Sequence, residues 1–347
     1  MSASNTGVWL LEAGGQFVVQ EAPMYTPGPD EILVKNKAVA VNPMDWKIQL
    51  YGPHLPFPSK YPFILGVDLA GEVYEVGKDV TKFKKGDHIA GNANWFLSHE
   101  IRESAYQNYT IINAALAVPL PHTITFTEGS VIPLAVSTSA MGLYPPARLG
   151  LPLPQSPKAE RIGKVVLVWG ASSSCGSMAV QLAVASGATI VATASSKNHE
   201  FVKSLGATAV VDYNSETVVS ELVDAVKSTG EEFLGALDAI GDDQTWRLCV
   251  EVAQGLGCGR VVSNNPRIPV EDIPEGVEVL GVTDTANIGD KREIVEGVWG
   301  TFLPKALKDG TIKCVPEAVV LKGLDKVAEG VALCQKGVSA AKVVVEL

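Results

Sequence analysis

The chain has 347 residues, 46% of them hydrophobic and 19% charged, which is enough apolar material for two domain cores and argues against intrinsic disorder. Its formal net charge of −10 argues against nucleic acid or an anionic membrane as the main partner, because both call for a basic surface. No apolar stretch reaches the ~20 residues of a bilayer span, and the N-terminus has no basic segment ahead of an apolar one, so a soluble, cytoplasmic protein is expected.

The first ~125 residues read as β-rich, with alternating segments such as Glu31–Lys35 and Gly71–Val76 separated by Gly and Pro turns. The Pro-rich stretch Pro145–Pro157 is expected to be a surface loop. Beyond it the pattern changes. Strand-like runs at Lys164–Trp169, Thr189–Thr193, Ala209–Val211, Gly235–Asp238 and Arg260–Ser263 alternate with helical segments, which predicts a doubly wound parallel sheet. A helix around Trp299–Leu307 and a closing strand at Val343–Val345 complete the chain.

Within the middle region, Val165–Ala183 carries the most chemistry. The β-branched run Val165–Val168 ends in a small-residue turn, Gly170 to Gly176, which opens straight into a helix with Ala179, Val180, Ala183 and Val184 at helical spacing. A strand–turn–helix unit of this kind holds a dinucleotide pyrophosphate on backbone N–H groups at a helix N-terminus. Ser172, Ser173, Ser174 and Cys175 fill the turn, where the usual fingerprint has further glycine. The bland alternative is an ordinary structural strand–helix unit.

The tip of the next strand decides the nucleotide. A carboxylate there accepts from the ribose hydroxyls of NAD. This chain instead has Ser195, Ser196, Lys197 and Asn198, whose hydroxyls and cation suit a 2′-phosphate. NADPH is therefore the expected cofactor, the alternative being a polar loop with a solvated lysine.

Five cysteines (Cys175, Cys249, Cys258, Cys314, Cys334) form no C-x-x-C pair and read as free thiols. Five histidines (His54, His88, His99, His122, His199) form no metal-binding pattern.

Several motifs, in order along nearly the whole chain, resemble the medium-chain dehydrogenase/reductase superfamily. They are Val41-Asn-Pro-Met-Asp-Trp-Lys47, Pro62-Phe-Ile-Leu-Gly-Val-Asp-Leu-Ala-Gly71, Gly86-Asp87, Pro133-Leu-Ala-Val-Ser-Thr138, Leu205-Gly-Ala207 and Asp212-Tyr213. The resemblance implies an α/β protein with a GroES-like β-rich catalytic domain over 1–132, a Rossmann doubly wound parallel-sheet domain over 133–285, and a C-terminal return to the catalytic domain over 286–347. Zinc-dependent members carry Gly-His-Glu where this chain has Gly66-Val67-Asp68, and their cysteine ligand falls near Pro43, so no metal is expected. Ser173 and Ser174, Leu149–Pro154 and Ser263–Pro266 resemble the fungal trans-acting enoyl reductases of polyketide pathways within the zinc-independent branch.

By the same resemblance, Met44, Asp45, Trp46 and Lys47 approach the cofactor near ribose and nicotinamide, and Thr138 lies near the nicotinamide. Gly170, Ser172–Cys175 and Gly176 cradle the pyrophosphate. Ser195–Asn198 and Tyr213 flank the adenosine phosphate, and Ser263 and Asn264 line the nicotinamide side. Lys47, Thr138 and Tyr144 are the candidate catalytic residues, with Tyr51 a further donor by type. The chemistry implied is NADPH-dependent hydride transfer to the C=C bond of an α,β-unsaturated carbonyl, either a small molecule or bound to a carrier protein, in a monomer or homodimer. A quinone reductase of the same fold is the alternative, and a non-catalytic NADPH-binding sensor or crystallin-like protein is the alternative from another class.

Overall fold

In a computed structural model of the protein, residues 4–52, 61–257, 259–265, 268, 273–282 and 288–347 are described. His54, Cys258 and Pro266 lie outside these residues. The chain divides into two units, residues 1–134 with 314–347, and residues 135–313. No helix among the described residues is long and apolar enough to cross a membrane.

The first unit is built from β1 (Asn5–Leu10), β2 (Phe17–Ala22), β3 (Glu31–Ala40), helix α1 (Pro43–Tyr51), β4 (Phe63–Ile64), β5 (Asp68–Val76), β6 (His88–Asn92), short helix α2 (Trp95–Ser98), β7 (Tyr109–Asn113), β8 (Ala117–Pro119) and short helix α3 (Phe126–Gly129). Ile32, Val34 and Val39 of β3 pack with Leu69 and Val73 of β5 and Ile89 of β6 in one core. These strands are antiparallel, as expected for sheets made of neighbouring hairpins.

The second unit takes up most of α4 (Pro133–Leu143) and then alternates strand and helix: β9 (Lys164–Trp169), α5 (Ser174–Ala185), β10 (Thr189–Thr193), α6 (His199–Ser204), β11 (Ala209–Val211), α7 (Val218–Ser228), β12 (Glu232–Asp238), α8 (Asp243–Gly255), β13 (Gly259–Ser263) and β14 (Val277–Gly281). All six strands are parallel, in the order β11-β10-β9-β12-β13-β14. β9 sits centrally and is buried from Val165 to Trp169, which is why its sequence is a continuous apolar run rather than an alternation. Val218, Leu222, Val223 and Val226 of α7 and Trp246, Cys249, Val250 and Ala253 of α8 give each helix a buried stripe in the same core. Five of these strands fall where the sequence pattern puts them. β14, short and only partly buried, was not among the expected elements.

The helical run α9 (Arg292–Val295), a π-helical stretch (Glu296–Phe302) and α10 (Leu303–Asp309) covers the expected Trp299–Leu307 helix. It belongs to the second unit, and the chain re-enters the first unit at Cys314, where the resemblance implied a return over 286–347. The reason lies in the stretch Pro145–Pro157. It is no mere surface loop, because Leu149 and Leu151 are buried and Leu153 lies against Gly297. Lys305 donates to the Ser156 carbonyl and the Ser156 hydroxyl to Asp309, while Gln181 exchanges two hydrogen bonds with the Lys313 backbone, at 2.8 and 3.3 Å.

After Cys314, β15 (Glu317–Lys322), α11 (Val327–Lys336) and β16 (Ala341–Glu346) close the first unit. Its larger sheet runs β15-β16-β3-β5-β6-β8, with β7 on β3, and a smaller one runs β2-β1-β4. Ala40 of β3 stands opposite both Val344 of β16 and Asp68 of β5. This register brings three distant parts of the chain to one sheet end, next to the start of α1.

A buried polar network forms there. Lys342 Nζ lies 2.5 Å from Asn42 Oδ1 and 3.0 Å from Asp68 Oδ2. Asn42 Nδ2 donates to the same Asp68 oxygen at 2.8 Å, and the Leu134 N–H donates to the other at 2.6 Å. Asp45 is fully buried. Its Oδ2 accepts from the Asn42 N–H at 2.7 Å and the Tyr106 hydroxyl at 2.6 Å. Tyr106 reaches this point because Gly66, at φ +91°, has no side chain; a Cβ there would fall 2.5 Å from the ring. Asp45 therefore closes the first turn of α1 through Oδ2, while its Oδ1 is buried without a hydrogen-bond partner.

Burial pushes the Asp45 carboxyl up to about 6, against the opposing hydrogen bonds from Tyr106 and Asn42. The folded state thus holds this proton more tightly than the unfolded chain does, and the contribution of Asp45 to stability falls as pH rises from about 4 to 6. Asp45→Asn, which mimics the protonated form, should gain stability relative to the wild type over that range, by at most about 3 kcal/mol, and level off above it. Urea unfolding midpoints at successive pH values measure this, and the opposite trend would refute it. In the second unit, a Cβ on Gly176 would lie 2.2 Å from the Gly170 carbonyl oxygen and 2.7 Å from Ala171 Cα. Gly176→Ala should cost about 1–3 kcal/mol by the same measurement.

Candidate functional site

The turn after β9 is shaped by the neighbouring strand. The Gly170 N–H donates to Thr193 Oγ1 and the Ala171 N–H to the Thr193 carbonyl, both at 2.9 Å. Ser173 then acts as the N-cap of α5, its hydroxyl accepting from the Gly176 N–H at 3.1 Å. The serine that breaks the glycine fingerprint thus has a backbone task. Ser172, Ser173, Ser174 and Cys175 stay half-buried around the start of a 12-residue helix. The partial positive charge of that helix end and the close approach at side-chain-less Gly176 form a cradle that fits a pyrophosphate.

The loop after β10 meets this turn. Asn198 Nδ2 donates to Ser195 Oγ at 3.1 Å and reaches Ser172 Oγ at 3.5 Å, so two segments 26 residues apart share one polar cluster. Lys197 is exposed beside it, with no ion-pair partner among the described residues. Tyr213, at the end of β11, is 43% exposed.

Ser196 is placed differently from the expectation. Its hydroxyl and its N–H both donate to Asp212, the N–H at 3.1 Å. Asp212 also accepts from the Asn214 N–H and Nδ2, each at 2.9 Å, and the Ser196 hydroxyl bond leads the donors that hold its carboxyl down at about 2. Ser196 is therefore committed to a carboxylate just beyond the neighbouring strand. Sequence reasoning gave Asp212 no side-chain role. Its position one residue beyond β11, a strand paired with β10, was the available signal.

Ser263 is likewise engaged within the protein. It is fully buried, stands opposite Asp238 in the β12–β13 pair, and donates to Asp238 Oδ2 at 2.7 Å. Asp238 also accepts from Thr245 Oγ1 at 3.0 Å and from the N–H groups of Ile240 and Gly241. Burial, its largest influence, pushes its carboxyl up. Asp238 is the residue that sequence reasoning missed here; it fixes the turn between β12 and α8. Asn264 is half-buried, and its Nδ2 donates to the Ala239 carbonyl at 3.1 Å.

Among the proposed catalytic residues, Thr138 is buried in α4 at 8% exposure. Tyr144 is 4% exposed, its hydroxyl donates to the Leu182 carbonyl at 3.3 Å, and Ser186 Oγ lies 3.4 Å away. Burial pushes its hydroxyl far above the ordinary tyrosine range. In the first unit, Met44, Trp46 and Lys47 are half-buried on α1, with Lys47 Nζ 5.7 Å from the Trp46 ring centre. Tyr51, at the end of the same helix, is 50% exposed.

Among the described residues, no group of three or more His, Cys, Asp or Glu stands where it could hold a metal ion. Asp68, where zinc-dependent members carry glutamate, has both oxygens engaged by Lys342, Asn42 and the Leu134 N–H. This donor set does not fit a zinc site.

Comparison with known proteins agrees with the two-unit architecture. Residues 28–122 match the alcohol dehydrogenase GroES-like domain, and residues 175–301 match the family described as zinc-binding dehydrogenase. The dehydrogenase orsE of Emericella nidulans is 38% identical over 99% of this chain and 100% of its own length. The trans-enoyl reductase himH of Aspergillus japonicus is 37% identical over 91% of this chain and 90% of its own. The trans-enoyl reductase tndF of Aspergillus flavipes is 34% identical over the full length of both. Among solved structures, the CurK enoyl reductase superposes with a TM-score of 0.78 at 21% identity, covering 99% of both chains, which speaks for the fold. A GroES-like unit, a six-stranded parallel nucleotide unit and full-length relatives together make this chain an oxidoreductase of the medium-chain dehydrogenase/reductase superfamily, whose dehydrogenases use a nicotinamide cofactor.

Proposed function

We propose that this protein is an NADPH-dependent, zinc-independent reductase of the C=C bond of α,β-unsaturated carbonyl compounds, presented as small molecules or as enoyl thioesters on a carrier protein. The observation that carries the cofactor choice is the loop after β10. There, Ser195 and Asn198 cluster with Ser172 of the turn, Lys197 between them in the chain is exposed, and the loop's neighbouring carboxylate, Asp212, is taken up by Ser196 and Asn214. The substrate class rests on the relatives named trans-enoyl reductases.

When bound, the cofactor supplies a hydride to the β-carbon of the conjugated alkene. The protein's part is binding, orientation and charge. The N-terminus of α5 and the Ser172–Cys175 turn hold the pyrophosphate, and Lys197 holds the 2′-phosphate as a point charge. Lys47 is long enough to donate to a ribose hydroxyl. Negative charge developing on the carbonyl oxygen calls for oriented N–H or hydroxyl donors. With Tyr144 buried away, solvent, Lys47 or Tyr51 remains to return a proton to the α-carbon.

Steady-state NADPH consumption under anaerobic conditions, with an enone, an enoyl thioester and a naphthoquinone, tests the reaction class. Turnover of the enone or thioester is expected; turnover of the quinone alone would make the protein a quinone reductase instead. Lys197→Ala should raise the KM for NADPH by roughly tenfold while leaving that for NADH within about twofold. Equal efficiency with the two cofactors in the wild type would remove the NADPH assignment. Lys47→Met should weaken NADPH binding by roughly fivefold to tenfold, as for one lost hydrogen bond, and unchanged affinity would remove its role.

A further inference from the structure

The start of α1 is held in an unusual way. Asn42 is its N-cap, in extended conformation at φ −121° and ψ 155°, and forms a capping box with Asp45. An N-cap asparagine normally accepts from the first-turn N–H groups. Here the same side chain is also bonded to two buried ions: its Oδ1 accepts from the Lys342 ammonium and its Nδ2 donates to Asp68. Asp45 works in the other direction, accepting from the Asn42 N–H. Lys342, only 5% exposed, is thereby joined to a residue 300 positions earlier in the chain, and through it to the helix that presents Lys47.

The charges explain why the arrangement is directional. Two buried carboxylates, Asp45 and Asp68, face one ammonium, with the Tyr106 hydroxyl and the Cys334 thiol as the other titratable groups around them. In a low-dielectric interior the ammonium is confined to the site that compensates an anion, and the Asn42 amide, bonded to both ions, is confined with it. A neutral contact could slide without comparable loss.

We propose that Lys342 is a positioning residue: its buried ion pair with Asp68, transmitted through Asn42, sets the entry of α1 and so the placement of Lys47 for the cofactor. The inference rests on the proposed role of Lys47. Lys342 itself is buried and bonded to Asn42 and Asp68 within its own unit.

Removing Lys342 alone would strand a buried anion, so the test replaces both ions. Asp68→Asn/Lys342→Met removes the pair without leaving a charge, and Lys342→Arg keeps the charge while moving its donors. Each is combined with Lys47→Met in the full-length protein, and NADPH dissociation constants are read by fluorescence titration beside thermal melting. The expected result is a folded double variant whose NADPH affinity falls roughly fivefold to tenfold, a loss that disappears when Lys47 is already methionine. Lys342→Arg should show a smaller loss, cancelled in the same background. A purely structural role would lower the melting temperature and leave the folded fraction's affinity unchanged, which overturns the proposal. So does a loss that persists at full size in the Lys47→Met background. If Lys47→Met alone leaves NADPH affinity intact, the role of Lys47 fails and the positioning role fails with it. If Lys47→Met weakens binding and the Lys342 variants do not, only the positioning role fails. Should the double variant not fold, the Lys342→Arg series decides between these outcomes.

Discussion

The first unit depends on one constraint, which is that charge inside a sheet must be matched. Asp68 lies at the start of β5 with no exposed surface, and an uncompensated carboxylate there would cost several kcal/mol. The compensation comes from Lys342 on β16, supplied by the last stretch of the chain, and from the Leu134 N–H. Closing the unit with the C-terminal strand is therefore an electrostatic matter as well as a packing one. Val343 and Val345 enter the apolar core, while Lys342 neutralises the end of the sheet that supports α1.

The second unit solves a comparable problem with hydrogen bonds. Its parallel strands end at one edge of the sheet, where polar side chains gather. Asp238 and Asp212 are each surrounded by backbone and hydroxyl donors, but their surroundings differ. Asp238 is buried, so desolvation prevails and its carboxyl rises. Asp212 is only half-buried, so its donors prevail and its carboxyl falls. Both take up serine hydroxyls that the residue pattern offers to a ligand, Ser263 and Ser196 respectively. The groups proposed here for the nucleotide are narrower: the α5 turn, Ser195 and Lys197, with Asn198 tying the turn to the loop.

Periodicity was enough for the large features. The continuous apolar run Val165–Val168 predicted a strand buried on both faces, and five such runs alternating with helical stripes predicted the parallel sheet. Pattern failed where burial is partial. β14 and β15 are weakly buried edge elements, so their sequences carry little alternation against which to recognise them. The helix around Trp299–Leu307 was visible, but its ownership was not, since nothing local to it reveals that Leu153 and Ser156 lie beneath.

The same division holds at the site. The sequence by itself determined the strand–turn–helix unit, the lysine in place of a ribose-binding carboxylate and the absence of a Gly-His-Glu, because each is a property of adjacent residues and their backbone. Tertiary structure alone decided which side chains remain available to a ligand. Asp45, Tyr144, Ser196 and Ser263 have the right chemistry, yet each is claimed by a partner from elsewhere: Tyr106, Leu182, Asp212 and Asp238. A hydrogen-bonding group satisfies the nearest buried partner first, since an unpaired one inside the protein costs more than any single contact returns. That partner is set by strand register and helix packing, and residue spacing along the chain does not encode it.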